Sequence, residues 1–244
     1  MKVTQEQNNI DFNKYKTRGA GYHWDQISSH PIKMNAFVKA RYKKCIKLLL
    51  SELHDVSGKK ILDFGCGDGV LTYELEKCGA HAHGVDLSEI AVQFGKERHL
   101  QLGSNATFKV GSCLEAPYED NYFDAIVSSD VIEHVPSAKK FLEEVKRILK
   151  PNGVAIISTP IRFTESPLDK MHVVEWFEEE YKTVVQEVFE NSSFEYSHPI
   201  FWLELINRNR YCRLLVNLLS LVKNPFESSK SWRYPSMQYA IIKN

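Results

Sequence analysis

The chain has 244 residues, 43% of them hydrophobic and 25% charged, with 31 basic against 31 acidic side chains. This length and composition fit one globular unit with a buried core, and the zero net charge speaks against a protein that rides on nucleic-acid phosphates, which carries a basic surplus. The five cysteines (Cys45, Cys66, Cys78, Cys113 and Cys212) form no C-x-x-C pair, so reduced thiols are expected rather than disulfides or a cysteine zinc site.

Residues 1–20 are polar apart from aromatics such as Phe12 and Tyr15 and read as loose chain. Their mixed charge does not resemble a secretory signal. Ile32, Ala36, Phe37, Ala40, Ile46, Leu49, Leu50 and Leu53 recur at helical spacing, which predicts a helix over 32–54, closed by Ser57-Gly58. A strand is expected at 60–64, a helix at 70–78 and a strand at 82–86. Ser88, with Glu89 behind it, is a helix cap for a segment reaching about Leu102. Strands at 107–110 and 123–129 follow, then a helix opened by Pro136 and ending near Leu149. Lys150-Pro151-Asn152-Gly153 reads as a turn, and 154–158 as another strand. Strands alternating with helices at this pitch mean a parallel, doubly wound α/β sheet. Ligands of such sheets lie at the carboxyl ends of the strands, where Asp63, Asp86, Ser112 and the run Ser129–His134 all fall. Beyond residue 160 the spacing predicts a helix over 175–188, a single apolar helix over 203–222 and a last strand over 239–242. No apolar run approaches the roughly 20 residues of a membrane span, so a cytoplasmic location is expected.

The stretch Ile61-Leu-Asp-Phe-Gly-Cys-Gly-Asp-Gly69 runs from a strand into a glycine turn, and Asp86 ends the next strand. A dinucleotide fingerprint spaces its glycines G-x-G-x-x-G; here the third glycine comes one place early. Asp63 and Asp68 would also repel a diphosphate at the helix N-terminus. A cationic cofactor without phosphate fits better, and S-adenosylmethionine, with an ammonium, a sulfonium and a ribose, is one. Gly65 and Gly67 would let the backbone approach its methionine portion, and Asp86 could accept hydrogen bonds from both ribose hydroxyls.

With Gly84-Val-Asp-Leu-Ser88, Phe123-Asp-Ala-Ile-Val127 and Leu149-Lys-Pro-Asn-Gly153 added to the glycine run, residues 58–160 resemble the class I S-adenosylmethionine-dependent methyltransferases. The resemblance implies a Rossmann-like, doubly wound, seven-stranded and mostly parallel sheet. Residues 1–57 would form an N-terminal helix and cap, 58–160 the cofactor core, and 161–244 a helical substrate-side insertion or lid plus the last strand. It also implies that Gly65, Cys66 and Gly67 line the methionine portion beside Asp63. Asp86 would hold the ribose, Leu87 would pack on adenine between Ser112 and Cys113, and Ser129 would face the methionine end.

Asp130-Val-Ile-Glu133-His134 follows the 123–129 strand. It is similar to the E-x-x-E-H stretch of small-RNA 2′-hydroxyl methyltransferases and of the ubiquinone-biosynthesis O-methyltransferases. The RNA enzymes imply a divalent ion on Asp130, Glu133, His134 and a later histidine, here His172. In relatives without a metal, His134 is a general base or a structural residue. His23-Trp24-Asp25, His30-Pro31, Asn35 and Arg41 resemble the leading segment of the ubiquinone-type enzymes, which implies Arg41 on the cofactor's carboxylate. The reading that follows is methyl transfer to a hydroxyl of a small molecule (a sugar, a phenol or a prenylated ring), with Glu133, His134 and His172 as catalytic residues. Flanking aromatics (Tyr22, Trp24, Trp176, Phe177, Phe201, Trp202, Trp232 and Tyr234) suit stacking on a ring. Two alternatives stand beside it: a metal-assisted nucleic-acid 2′-O-methyltransferase, which the charge balance disfavours, and a non-catalytic cofactor-binding subunit. Arg208, Arg210 and Arg213 beside Trp202 and the leucines of 201–223 leave a membrane-surface contact open.

Overall fold

The computed structural model describes residues 14–165, 167, 169–227 and 234–244; Phe12 and Trp232 lie outside them. Seven strands form one sheet: β1 (Lys60–Phe64), β2 (His81–Asp86), β3 (Thr107–Val110), β4 (Phe123–Ser129), β5 (Leu149–Pro160), β6 (Ser192–Pro199) and β7 (Pro235–Lys243). Their order is β3-β2-β1-β4-β5-β7-β6. The first five pair in parallel, while β7 runs antiparallel to both β5 and β6. Winding reverses between β1 and β4, which makes that crevice the switch point where such sheets bind ligands.

The central strands are apolar on both faces because helices cover both. Leu62 and Phe64 of β1 point into a cluster with Phe141, Leu142 and Val145 of α6 (Ala138–Ile148) and Tyr181 and Val185 of α7 (Glu178–Gln186). Ile61 points the other way, to Cys45, Leu48 and Leu49 of α3 (Ala36–Leu53) and Leu71 and Leu75 of α4 (Val70–Lys77). A fully buried side chain of this kind, such as Phe141, contributes about 1.5–3 kcal/mol. α5 (Glu89–Gln101) starts where expected, with the Ser88 hydroxyl accepting from the Ala91 amide.

Several boundaries differ from the sequence expectation, each for a local reason. Part of the polar start is helical, α1 (Lys14–Arg18); a further helix that was not expected, α2 (Tyr22–Ile27), precedes α3, whose cap is Asn35. α6 opens at Ala138 rather than Pro136, because the Ser137 side chain accepts from the Lys140 amide. The expected turn at 150–153 is a bulge inside β5, with Asn152 at φ 64°. α7 begins at Glu178 because Trp176 is drawn into a bridge with Ile161. The single helix over 203–222 is two helices, α8 (Ile200–Arg208) and α9 (Arg210–Val222). Asn209 is extended between them and accepts from the Tyr211 and Cys212 amides. β6 lacks an apolar run and was not expected as an element; β7 is longer than 239–242.

Candidate active site

A cavity of about 1480 Å³ opens over the carboxyl ends of β1, β2 and β4. Arg41, Asp63, Gly65, Cys66, Asp86, Leu87, Ser112, Cys113 and Ser129 all line it, together with Asp130, His134 and His172. Gly67 stands one step behind the wall, tied to it through Asp86. The glycine loop takes its shape from positive φ at Gly65 (86°) and Gly67 (53°). A Cβ at Gly65 would strike Val131, and one at Gly67 would strike the Tyr15 hydroxyl, so neither place accepts a side chain. Leu87 is 74% exposed at the cavity rim.

Two carboxylates line this half of the cavity and a third, Asp68, sits behind it. Asp86 accepts from the Gly67 amide and from the Ser88 amide, both at 2.8 Å, and so locks loop and helix start together. Burial raises its pKa, while those two bonds oppose the rise. Asp63 is 2% exposed and accepts from the Thr72 hydroxyl at 2.7 Å. Burial pushes its carboxyl up to about 7 against that bond. Asp68 is wholly buried and faces away from any ligand role: it accepts the His23 amide at 3.0 Å and meets His23 Nδ1 at 3.1 Å. Trp24 Nε1 donates to the Asp68 carbonyl at 2.9 Å. The His-Trp pair of the leading segment is thus a clasp that fixes α2 over the glycine loop. With it come Tyr15 and Tyr22, cavity residues the sequence did not single out for this end.

Beyond β4 the chain turns sharply. Asp130 takes φ 56° and its carboxylate is paired with Arg41, with Ser158 Oγ donating to its other oxygen at 3.2 Å. Arg41 is buried, and its Nε has no partner among the described residues. Glu133 is buried in the 3-10 turn Ile132–His134; Thr159 Oγ1 donates to its Oε2 at 3.0 Å, while Oε1 is buried without a partner. Burial first, and Asp130 second, hold this carboxyl far above the usual range. The Glu133 carbonyl accepts from the Val173 amide at 2.8 Å, which holds the loop of residues 169–177 at the cavity wall.

That loop brings the two histidines together, with ring centroids 4.8 Å apart. His134 Nδ1 lies 2.9 Å from the Met171 carbonyl, which can only accept, so Nδ1 carries a proton. His172 Nδ1 lies 2.5 Å from Glu175 Oε1, and Glu175 is itself buried. Sequence reasoning missed Glu175, although its i+3 spacing from His172 was the available signal. Glu133, His134 and His172 offer ligand atoms within 4.8 Å of one another. Of the four residues inferred from sequence, Asp130 is not in that group; its carboxylate is paired with Arg41.

Sheet order, glycine loop and β2 carboxylate together define a doubly wound α/β domain with a cavity at its switch point. A family model described as a methyltransferase domain matches residues 55–208. The chain is 31% identical over 124 residues to the ubiquinone biosynthesis O-methyltransferase of Pasteurella multocida, covering 47% of this chain and 51% of that protein. It is 33% identical over 132 residues to phosphoethanolamine N-methyltransferase 1 of Arabidopsis thaliana, covering 54% of this chain and 27% of that protein. The chain therefore spans about a quarter to a half of the length of these relatives. Among solved structures, it matches Haemonchus contortus phosphoethanolamine N-methyltransferase 2, in complex with phosphomonomethylethanolamine and S-adenosylhomocysteine, with a TM-score of 0.68. Identity is 20%, over 96% of this chain and 59% of that one, a likeness of fold. The chain belongs to the class I S-adenosylmethionine-dependent methyltransferases.

Proposed function

We propose that the protein moves a methyl group from S-adenosylmethionine to a hydroxyl of a small molecule. The observation that carries this reading is the His134–His172 pair on the cavity wall, each ring held through Nδ1. A neutral amine attacks a sulfonium methyl with little help, whereas a hydroxyl must lose its proton as the bond forms, and a fixed imidazole is suited to take it. In this reading Asp63 receives the cofactor's ammonium and Asp86 the ribose hydroxyls. Arg41 keeps Asp130 with one edge and offers its remaining donors to the carboxylate. Gly65, Cys66 and Gly67 line the methionine chain, Leu87, Ser112 and Cys113 border the adenine, and Ser129 faces the methionine end. Methyl transfer is an in-line displacement driven by the sulfonium; these side chains supply alignment, and His134 receives the acceptor's proton.

A second reading has one observation in its favour: Glu133 Oε1 is buried with no partner, close to both histidines. Glu133, His134 and His172 fit a divalent ion as a three-residue set, and such an ion would supply Lewis acidity that lowers the pKa of the acceptor hydroxyl. Turnover that survives exhaustive chelation at full rate removes this reading. The leading one is tested by His134→Ala, assayed against a pool of hydroxylated metabolites with labelled methyl donor. It should cut turnover by about 10²-fold or more with unchanged binding of S-adenosylhomocysteine. Full turnover would refute the role of His134.

A further inference from the structure

Helix α9 is placed on the protein with its apolar side outward. Tyr211, Leu215, Leu218 and Val222 follow one another at i, i+4, i+7 and i+11 and so share a face. All four are exposed, Val222 at 94%, and Leu219 and Leu221 widen the strip. The opposite side is fixed inward. Val216 packs with Ala36, Ala40, Ile206 and Phe226, and the buried Asn217 side chain accepts from the Ala36 amide and donates to the carbonyls of Pro31 and Met34. The helix cannot roll over to hide its leucines without breaking three buried hydrogen bonds. A contiguous exposed apolar strip of this kind marks a contact surface.

Charge selects the partner. Between Glu204 and Glu227 the chain has Arg208, Arg210, Arg213 and Lys223 and no acidic residue. None of the four takes part in an ion pair with a carboxylate among the described residues. A two-fold contact with a second copy through this segment would bring these cations near their own copies, with no acidic residue in the segment to pair with them. An anionic lipid surface satisfies both features at once, leucines in the acyl boundary and cations among the headgroups. At 13 residues the helix is about 20 Å long, which suits lying in the interface. Among the described residues no helix is long and apolar enough to cross a membrane. The neighbouring helix α8 connects surface and chemistry, since Leu203 and Asn207 line the cavity.

We propose that α8 and α9 seat the protein on an anionic lipid surface, with the cavity reached past α8 from that side. The proposal goes beyond the methyl-transfer reading and stands without it. The test is co-sedimentation of the full chain with vesicles of phosphatidylcholine and phosphatidylserine, compared with phosphatidylcholine alone. Binding is expected only with the anionic lipid and should weaken as salt is raised. Arg208→Gln with Arg210→Gln should lower the partition constant about 25-fold, about fivefold per charge. Leu215→Ser with Leu218→Ser and Val222→Ser should lower it about a hundredfold or more, with S-adenosylhomocysteine binding unchanged as the control for folding. Failure to sediment with anionic vesicles overturns the proposal, as does equal sedimentation of the triple variant. A stable dimer by analytical ultracentrifugation that the same three substitutions dissolve also overturns it, in favour of a second copy.

Discussion

With the cofactor placed as proposed, its ammonium beside Asp63, affinity depends on pH through that carboxyl. Its carboxyl is buried and held at about 7 in the ligand-free protein. A cofactor ammonium placed beside it favours the ionised form, so binding must drive the proton off. At about pH 8 roughly nine-tenths of the molecules are already ionised, and at about pH 6 roughly one-tenth, so the dissociation constant of S-adenosylhomocysteine should rise about tenfold on going from pH 8 to pH 6, or about 1.4 kcal/mol. The folded-state value is raised, so the unliganded fold takes up this proton as pH falls below about 7. Asp63 therefore favours the apo fold on the acid side and the complex on the alkaline side. Calorimetric titrations at matched ionic strength, in buffers of different ionisation enthalpy, measure both the affinity and the proton released. Asp86 is raised in the same sense, so Asp63→Asn is needed to isolate the effect. It should bind more weakly at pH 8 and lose most of the slope. A wild-type constant flat from pH 6 to pH 8, with no proton released, would refute the reasoning.

Other consequences follow from named contacts. Asp86→Ala removes the acceptor of two backbone amides as well as the proposed ribose partner. Affinity for S-adenosylhomocysteine should fall by about tenfold or more, and unchanged titration heats would exclude the ribose assignment. Asn217→Ala strips partners from one amide and two carbonyls. It should lower unfolding free energy by about 3 kcal/mol, read as a shifted urea midpoint. His198 is buried, with a ring pushed down to about 3 by burial and Nε2 beside the Phe37 carbonyl. It stays neutral in the fold while the unfolded chain takes a proton below about pH 6.5. Its contribution is therefore intact above that pH and lost progressively as pH falls toward 3, by up to about 1.4 kcal/mol per unit. His198→Gln should flatten the acid limb of a stability–pH curve even as it lowers the neutral plateau.

The local structure from β1 to α5 was legible because local chemistry dictates it. A glycine loop after a strand, a serine cap at 88 and a carboxylate at 86 each solve a nearby problem, and the structure uses them within a few residues. The doubly wound sheet was equally readable from its alternating apolar runs. What escaped was set by distant contacts. Asp68 entered the sequence reading only as a charge that would repel a diphosphate; the partners that fix it, His23 and Trp24, lie 44–45 residues earlier. Asp130 looked like a metal ligand, but Arg41, 89 residues away, engages it. β6 has no apolar run because only its last residues are deeply buried. The break at Asn209 was hidden because leucines continue at helical spacing on both sides of a residue whose side chain caps the second helix.

The central claim, transfer to oxygen, rests on two oriented imidazoles and is open to one direct measurement. The protein is incubated with S-adenosylmethionine carrying a carbon-13 methyl and a pool of hydroxylated and aminated small molecules, and the labelled product is examined by NMR. Methyl groups on oxygen and on nitrogen resonate in separate ranges. The account predicts a single O-methyl signal that is lost in His134→Ala. A labelled methyl on nitrogen, or an O-methyl signal undiminished in that variant, would contradict it.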